Sequence, residues 1–327
     1  MSVFPYLAPL DIGGVTIPNN LILGPMAGVT DMSFRRLCRE QGAGLVCGEM
    51  VSAKAVVYRN KKTAVLCCTS EDERPVSLQL FGSEPDVMAE AAAMMNEAYS
   101  FDIMDINMGC PVHKIVTNGE GSALMRDPEL IERIVAAVVK TAGHPVTVKI
   151  RKGYGASDNT AAECARAAEA GGASMIAVHG RTREQFYNGE ADWSVIREVK
   201  EAVSVPVTGS GDVKDGPSCK AMFEQTGCDA VMVARAAQGD PWVFADIIAY
   251  LETGETAQRP GRDEMTSMLL RHARLLIEDK GEYIGIREMR KHAAWYTKGY
   301  AGASRIREKL SQLTSYEELK QLCSELR

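Results

Sequence analysis

Eight short apolar runs recur along the chain: Leu21–Pro25, Leu45–Glu49, Val76–Leu80, Asp102–Asn107, Val146–Ile150, Met175–His179, Pro206–Ser210 and Ala230–Ala234. Each is followed by glycine or polar residues and then by apolar residues at helical spacing, so the repeating unit is strand, loop, helix. Several helices carry readable starts. Asp31 precedes Phe34, Leu37 and Cys38; Asp127, with Pro128 in the first turn, precedes Ile131, Ile134, Val135 and Val138; Asp192 precedes Trp193, Ile196 and Val199. Gly42 and Gly171 stand where helices should stop. Near-continuous apolar strands alternating with helices imply a parallel sheet covered by helices, and closing that sheet removes its edges. The expectation is an α/β fold, a TIM (β/α)8 barrel; a doubly wound open sheet is the alternative that the same pattern allows.

Two further segments frame this repeat. Residues 9–18, with Gly13-Gly14 in the middle and Pro18 at the end, read as a short hairpin that plugs or covers the barrel. After Pro260 the strand pattern stops, and Leu269, Ala273, Leu276 and Ile277 fall on one helical face. Arg259-Pro260-Gly261 marks the boundary, giving a barrel domain over 1–258 and a small all-helical domain over 259–327.

A chain of 327 residues is long enough for such a barrel plus a small second unit. Its nine cysteines include no C-x-x-C pair, and the vicinal Cys67-Cys68 suits neither an ordinary disulfide nor a zinc site, so no metal is expected. With no charged-then-apolar leader and no apolar run near the ~20 residues of a membrane span, the expected location is cytoplasmic, without membrane attachment. The net charge of -6 argues against nonspecific nucleic-acid binding, but it is unevenly spread. Between Ile284 and Leu310 lie seven Lys or Arg against two Glu, a local excess of positive charge beside an acidic remainder.

In a barrel of this kind reactive residues gather at the C-terminal ends of the strands. Reading only those ends gives Pro25-Met26-Ala27, Glu49, Gln79, Asn107 with Cys110, Lys149 with Arg151, His179 with Arg181, Ser210-Gly211-Asp212 and Ala234-Arg235. Pro111 biases Cys110 toward an extended conformation that projects its thiol from the loop; a buried structural cysteine is the competing reading. The longest interval between strand starts follows the fourth strand and carries Cys110 and residues 113–125, as a substrate loop would. Gly209-Ser210-Gly211-Asp212 and Ala234-Arg235-Ala236, after the seventh and eighth strands, offer backbone N–H groups to a phosphate, unless they are plain turns. Lys149 sits between Val148 and Ile150 and either meets an anion or runs its stem along the barrel wall to solvent. Beside a flavin ring such a lysine would stabilise the charge of the reduced ring. His179 could reach the same cofactor or be a hydrogen-bonded structural histidine, and Gln79 and Asn107 would offer amide groups to the ring edge.

These residues resemble a known family. Pro25-Met26-Ala27-Gly28-Val29-Thr30-Asp31, Glu49-Met50-Val51-Ser52, Gln79-Leu80-Phe81-Gly82, Asn107-Met108-Gly109-Cys110-Pro111, Val148-Lys149-Ile150-Arg151 and Val178-His179-Gly180-Arg181-Thr182 occur in the order seen in the flavin-dependent tRNA-dihydrouridine synthases, most closely the bacterial B-type subgroup. The resemblance covers nearly the whole chain. It implies an FMN enzyme that reduces the C5–C6 double bond of specific uridines in tRNA, with NADPH (or NADH) as reductant, hydride passing from the flavin to C6 and Cys110 protonating C5. It further implies flavin contacts at Pro25, Met26, Ala27, Gln79, Asn107, Lys149, His179, Ser210, Gly211, Asp212, Ala234 and Arg235. Two departures stand out: Ser210 where the family usually has Asn, and Ala234 and Ala236 where it usually has Gly. Backbone donors survive both, and alanine suffices provided neither position needs positive φ.

The basic cluster Arg287, Arg290, Lys291 and Lys298, interleaved with Trp295, Tyr296 and Tyr300, reads either as a solvated helix face or, beside an acidic barrel, as a platform for the phosphates of tRNA. Arg181 is expected to join these residues in binding substrate, and no obligate protein partner is evident. Two rivals remain at this stage: a flavin barrel acting on a small molecule, similar to dihydroorotate dehydrogenase, and an RNA-binding protein without catalysis. The basic helices speak against the first, and Cys110, Lys149 and Gln79 together against the second.

Overall fold

A computed structural model describes residues 6–326. A hairpin of β1 (Leu10–Ile12) and β2 (Val15–Ile17) precedes eight strands: β3 (Leu21–Leu23), β4 (Leu45–Ser52), β5 (Val76–Phe81), β6 (Ile103–Asn107), β7 (Val146–Arg151), β8 (Met175–His179), β9 (Val207–Ser210) and β10 (Ala230–Val233). These eight pair in parallel in sequence order, and β10 returns to β3 to close the barrel. The open-sheet alternative is thereby excluded.

The hairpin is a floor. Ile12 and Ile17 are fully buried and pack with the side chains that fill the barrel, among them Ile22, Leu45, Ile103, Met175 and Met232. Gly13, at φ 60°, turns against Pro145 and Ser174, next to the N-terminal ends of β7 and β8; a Cβ there would lie 2.7 Å from Ser174 Oγ. The end opposite this plug is left for chemistry.

The helix starts follow the capping chemistry of the sequence. Asp31 accepts from Phe34 N at 3.0 Å, Asp127 from Leu130 N at 3.0 Å and Asp192 from Ser194 N at 3.1 Å, each satisfying an N–H the helix cannot. Gly42 follows its helix at φ 102°, as expected, but Gly171 does not take the left-handed turn: its φ is -70°, and Gly172 turns instead at 99°. Gly171 is needed for close packing, since a Cβ there would lie 2.8 Å from Glu132 O. Strand β4 also runs past Glu49 to Ser52, its register against β5 shifting between Cys47 and Met50.

Helices Arg262–Lys280, Glu282–Tyr296, Ala303–Ser311 and Tyr316–Ser324 follow an irregular stretch over 255–261. Their apolar faces form a second cluster, with Met265, Leu269, Leu276, Ile286, Met289 and Leu310 at its centre, that also takes in Leu37 and Trp242 from the barrel. Lys280 crosses the seam, its ammonium 3.0 Å from Asp31 and 2.6 Å from Glu288. The helical unit is thus packed onto the loop that follows β3, one of the strand ends at the barrel mouth. Among the described residues no helix is long and apolar enough to cross a membrane.

Candidate active site

The C-terminal strand ends enclose a cleft of about 1250 Å³. Cys110 and the residues expected to touch a cofactor (Pro25, Met26, Ala27, Gln79, Asn107, Lys149, His179, Ser210, Gly211, Asp212, Ala234 and Arg235) all line it, as does Arg181. Arg287, Arg290, Lys291 and Lys298 lie outside its lining.

Cys110 is pinned through its backbone. Asn107 Oδ1 accepts from Gly109 N (3.1 Å) and Cys110 N (2.8 Å), while Ser122 donates to Cys110 O from both N (3.1 Å) and Oγ (2.8 Å). Ser122 belongs to the long segment after β6, so that segment braces the cysteine as well as bordering the mouth. Gly121, at φ 60°, permits the contact, because a Cβ there would lie 2.9 Å from Cys110 O. Burial raises the Cys110 pKa above the ordinary thiol value, opposed by the Val112 N–H and by the charges of Arg151 and Lys149. The group is therefore a protonated thiol at neutral pH, suited to give a proton.

Beneath it the amides form a line. Asn107 Nδ2 donates to Gln79 Oε1 (2.8 Å), Gln79 Nε2 donates to Asp105 (2.6 Å), and Thr147 Oγ1 donates to the same carboxylate (2.6 Å).

From the adjacent strand β7 round to β10 the cleft is lined with cations. The Lys149 side chain makes no hydrogen bond or ion pair among the described residues, and its pKa is lowered to about 8 by burial and by Arg151, against the pull of Asp105. His179 is driven well below its usual pKa by burial and by Lys149, Arg151, Arg181 and Arg235, so it is a neutral ring. Gly211, at φ 118°, passes so close to His179 and Ala191 that a Cβ would lie 2.9 Å and 2.7 Å from them. Ala234 has φ -125°, and neither it nor Ala236 is among the residues with positive φ, so neither position calls for glycine on that ground. Phe186 (φ 53°) and Asp212 (φ 60°) are left-handed without being glycine, and an arginine holds each. Arg151 donates to Phe186 O (2.9 Å), Thr182 O (3.0 Å) and Gly109 O (2.7 Å).

Arg181 departs from its expected role. Its N–H groups go to both oxygens of Asp212 (2.9 and 2.8 Å), to Asn188 O (3.1 Å), to Gly189 O and toward His179 Nε2 (3.5 Å), and its side chain is 2% exposed. Four of its five donors go to oxygens of the protein and the fifth faces His179 Nε2, so Arg181 is committed mainly to holding the loop after β9. Asp212 is likewise committed: burial would raise its pKa, but Arg181, the Ala191 N–H (2.7 Å) and Arg235 together carry it below the ordinary value.

The basic cluster also divides. Arg290 turns inward, donating from Nε (2.9 Å) and Nη2 (2.6 Å) to Leu313 O, because that carbonyl in the loop before the last helix needs a partner. Arg287 and Lys298 are exposed. Lys291 reaches back to the barrel, and its Nζ would lie 3.3 Å from a Cβ on Gly28. Tyr296 is fully buried in the helical core and offers no platform; the exposed ring is Tyr283, with the Arg287 guanidinium 3.6 Å from its centroid. Sequence reasoning passed over Arg151 as a brace and Asp105 altogether, although a carboxylate between Met104 and Ile106 is as anomalous as a lysine between Val148 and Ile150. It also gave no role to Glu49, whose Oε2 accepts the Gly28 N–H and so shapes the loop after β3.

Comparison with known proteins places this arrangement. The sequence profile of the family described as dihydrouridine synthase (Dus) matches residues 22–326. The chain is 42% identical over 302 residues to tRNA-dihydrouridine synthase B of Pseudomonas aeruginosa, covering 92% of this chain and 91% of that one. It is 42% identical over 299 residues to a probable tRNA-dihydrouridine synthase of Rickettsia bellii, covering 91% of each. Among solved structures, histamine dehydrogenase from Rhizobium sp. 4-9 superposes with a TM-score of 0.57 at 14% identity, over 83% of this chain and 51% of that one, a likeness of fold alone. The chain belongs to the dihydrouridine synthase family.

Proposed function

We propose that the protein reduces uridines of tRNA to 5,6-dihydrouridine, using FMN held in the cleft and NADPH as reductant. The observation that carries this reading is the pairing of a protonated Cys110 thiol with the ammonium of Lys149 on one cleft, in a chain of this family.

The residues present suit a flavin mononucleotide. Gly211 leaves a cradle that a side chain would fill, Arg235 is a nearby exposed cation, and Lys149 has no protein partner among the described residues to compete for its ammonium. Pro25, Met26, Ala27, Gln79, Asn107, His179, Ser210, Gly211, Asp212, Ala234 and Arg235 would hold it, Asp212 through its backbone, with Lys149 against the part of the ring that becomes anionic. When bound, FMN supplies the two electrons that NADPH provides. The protein's own part is positional and acid–base: Cys110 gives its proton to C5 as hydride arrives at C6, and Lys149 stabilises negative charge.

A base stacked within RNA cannot enter such a cleft and must be turned out of its stack. Arg287, Lys291 and Lys298 are the side chains available to hold RNA phosphates meanwhile, Lys291 nearest the mouth. Arg290 contributes mainly by fixing the helix that carries them, and Arg181 by fixing the loop that carries Asp212.

The test is direct. Purified protein should be yellow, NADPH should bleach it without oxygen, and unmodified tRNA should restore the colour while forming dihydrouridine. Colour restored by a small oxidant such as fumarate and not by tRNA would favour a small-molecule reductase, and protein that never binds flavin would refute the proposal.

A further inference from the structure

Asp105 is buried in the middle of β6, 5% exposed, and does not line the cleft. Burying a carboxylate there is costly unless it is hydrogen-bonded, and its two donors come from neighbouring strands, Gln79 on β5 and Thr147 on β7. The Gln79 contact has a directional consequence. An ionised carboxylate can only accept, so Gln79 must turn its NH2 toward Asp105 and its oxygen toward Asn107. Asn107 must then present its own NH2 to that oxygen, which leaves its Oδ1 for the N–H groups of Gly109 and Cys110. The line has an acceptor-only group at one end and donor-only groups at the other, and both amides between them lie on the cleft.

We infer that Asp105 is a positioning residue for the reduction: through Gln79 and Asn107 it sets which amide edges face the cleft and where the backbone of Cys110 stands. The inference rests on the reading of Cys110 as the proton donor. Asp105 touches neither the thiol nor the cleft: its hydrogen bonds act through the two amides, and its charge also favours the ammonium of Lys149. The titratable groups facing it are Lys149 from β7, whose charge favours the carboxylate, and Cys47 from β4, whose thiol is kept protonated by burial, with Asp105 adding to it. Burial raises the Asp105 pKa to about 6, against the hydrogen bonds of Thr147 and Gln79 and the charge of Lys149. Below that pH a protonated carboxyl can act as donor toward Gln79, and the direction of the line is no longer enforced.

The experiment compares the flavin-loaded D105N, D105L and wild-type proteins in two separate steps: bleaching by NADPH, and re-oxidation by an unmodified tRNA transcript. Asparagine imitates the protonated carboxyl, with a donor beside its acceptor, and does not titrate; leucine has a similar volume and no acceptor. Bleaching, in which Cys110 takes no part, reads any effect that reaches the flavin through Gln79, Asn107 or Lys149, and losses of re-oxidation are taken relative to it. Re-oxidation should fall by roughly 10- to 100-fold in D105L at unchanged tRNA affinity, the cost of a displaced acid, and fall in D105N to the level wild type reaches below pH about 6, since an amide, like a protonated carboxyl, can donate as well as accept. Wild type should also lose re-oxidation rate as pH falls through about 6, and D105N should lack that limb. In a C110A background, adding D105L should change re-oxidation by less than about 3-fold, because the two then act on one step.

Wild-type re-oxidation in D105L overturns the inference, as does an acid limb that persists in D105N. Should D105L fail to fold, the pH profile of D105N decides alone. A C110A protein that turns over at the wild-type rate refutes the acid itself and this inference with it. An impaired C110A beside an unimpaired D105L refutes the inference only.

Discussion

Replacing Arg151 with methionine removes a side chain that ties the cysteine loop after β6 to the loop after β8. Arg151 is 3% exposed and donates to three carbonyls, of which the contacts to Gly109 and Thr182 are buried and the one to Phe186 is partly so. Methionine fills the space of the stem and offers no donor, so two buried acceptors lose their partner at about 1–3 kcal/mol each, about 4 kcal/mol together. For a chain of 327 residues, unfolding entropy of about 2.1 cal/mol/K per residue makes each degree of melting temperature worth about 0.7 kcal/mol. R151M should therefore melt about 6 °C below wild type, followed by circular dichroism. Arg151 also favours the Cys110 thiolate, so its loss should push that thiol further up and slow alkylation of Cys110 by iodoacetamide at fixed pH, read by peptide mass mapping. A melting temperature within about 1 °C of wild type together with unchanged alkylation would show that the two loops are held by something else.

Changing Arg287, Lys291 and Lys298 together to glutamine should weaken tRNA binding and reduce its salt slope by about 2–3 while leaving bound flavin unchanged; an equal slope in filter binding would remove these residues from the RNA surface. His272 and His292 are buried against Phe34, and none of their ring nitrogens has a partner among the described residues. Burial lowers His272 to about 4 and His292 well below its usual value, so both are neutral in the fold. The unfolded chain takes up protons near pH 6.5 and the folded one does not. This stability is whole above pH 6.5 and eroded between there and about 4, by about 3 kcal/mol for His272. A protein with phenylalanine at both positions should show a flatter acid limb in urea unfolding, and an unchanged limb would place the acid sensitivity elsewhere.

Most of the barrel is legible from local pattern, because a strand buried on both faces must be apolar throughout and a helix start must supply an acceptor. The misplacements arise where packing chooses between equivalent residues. The helix does end at Gly171 as its position suggests, but the left-handed φ falls one residue later, at Gly172, while the approach of Glu132 O keeps Gly171 small. The β4 shift beside Glu49 follows from register against β5, which no local pattern encodes. The same holds at the site. Strand ends point to Cys110 and Lys149 by position alone, whereas an arginine in a loop or on a helix reads as a free charge until its carbonyl partners are known. Arg181 and Arg290 are both of that kind, and Tyr296, read as part of a surface cluster, belongs to a core built from helices far apart in sequence. Asp105 was accessible to the argument applied to Lys149, since each is a lone charge in an apolar strand.

The account stands most directly on the step assigned to Cys110. Rapid mixing of NADPH-reduced C110A protein with unmodified tRNA, beside wild type, isolates that step from the reduction before it. Bleaching by NADPH should match wild type, while re-oxidation and dihydrouridine formation should fall by roughly 10²- to 10⁴-fold, the loss expected when a general acid is removed. Re-oxidation by tRNA at the wild-type rate in C110A would contradict the account.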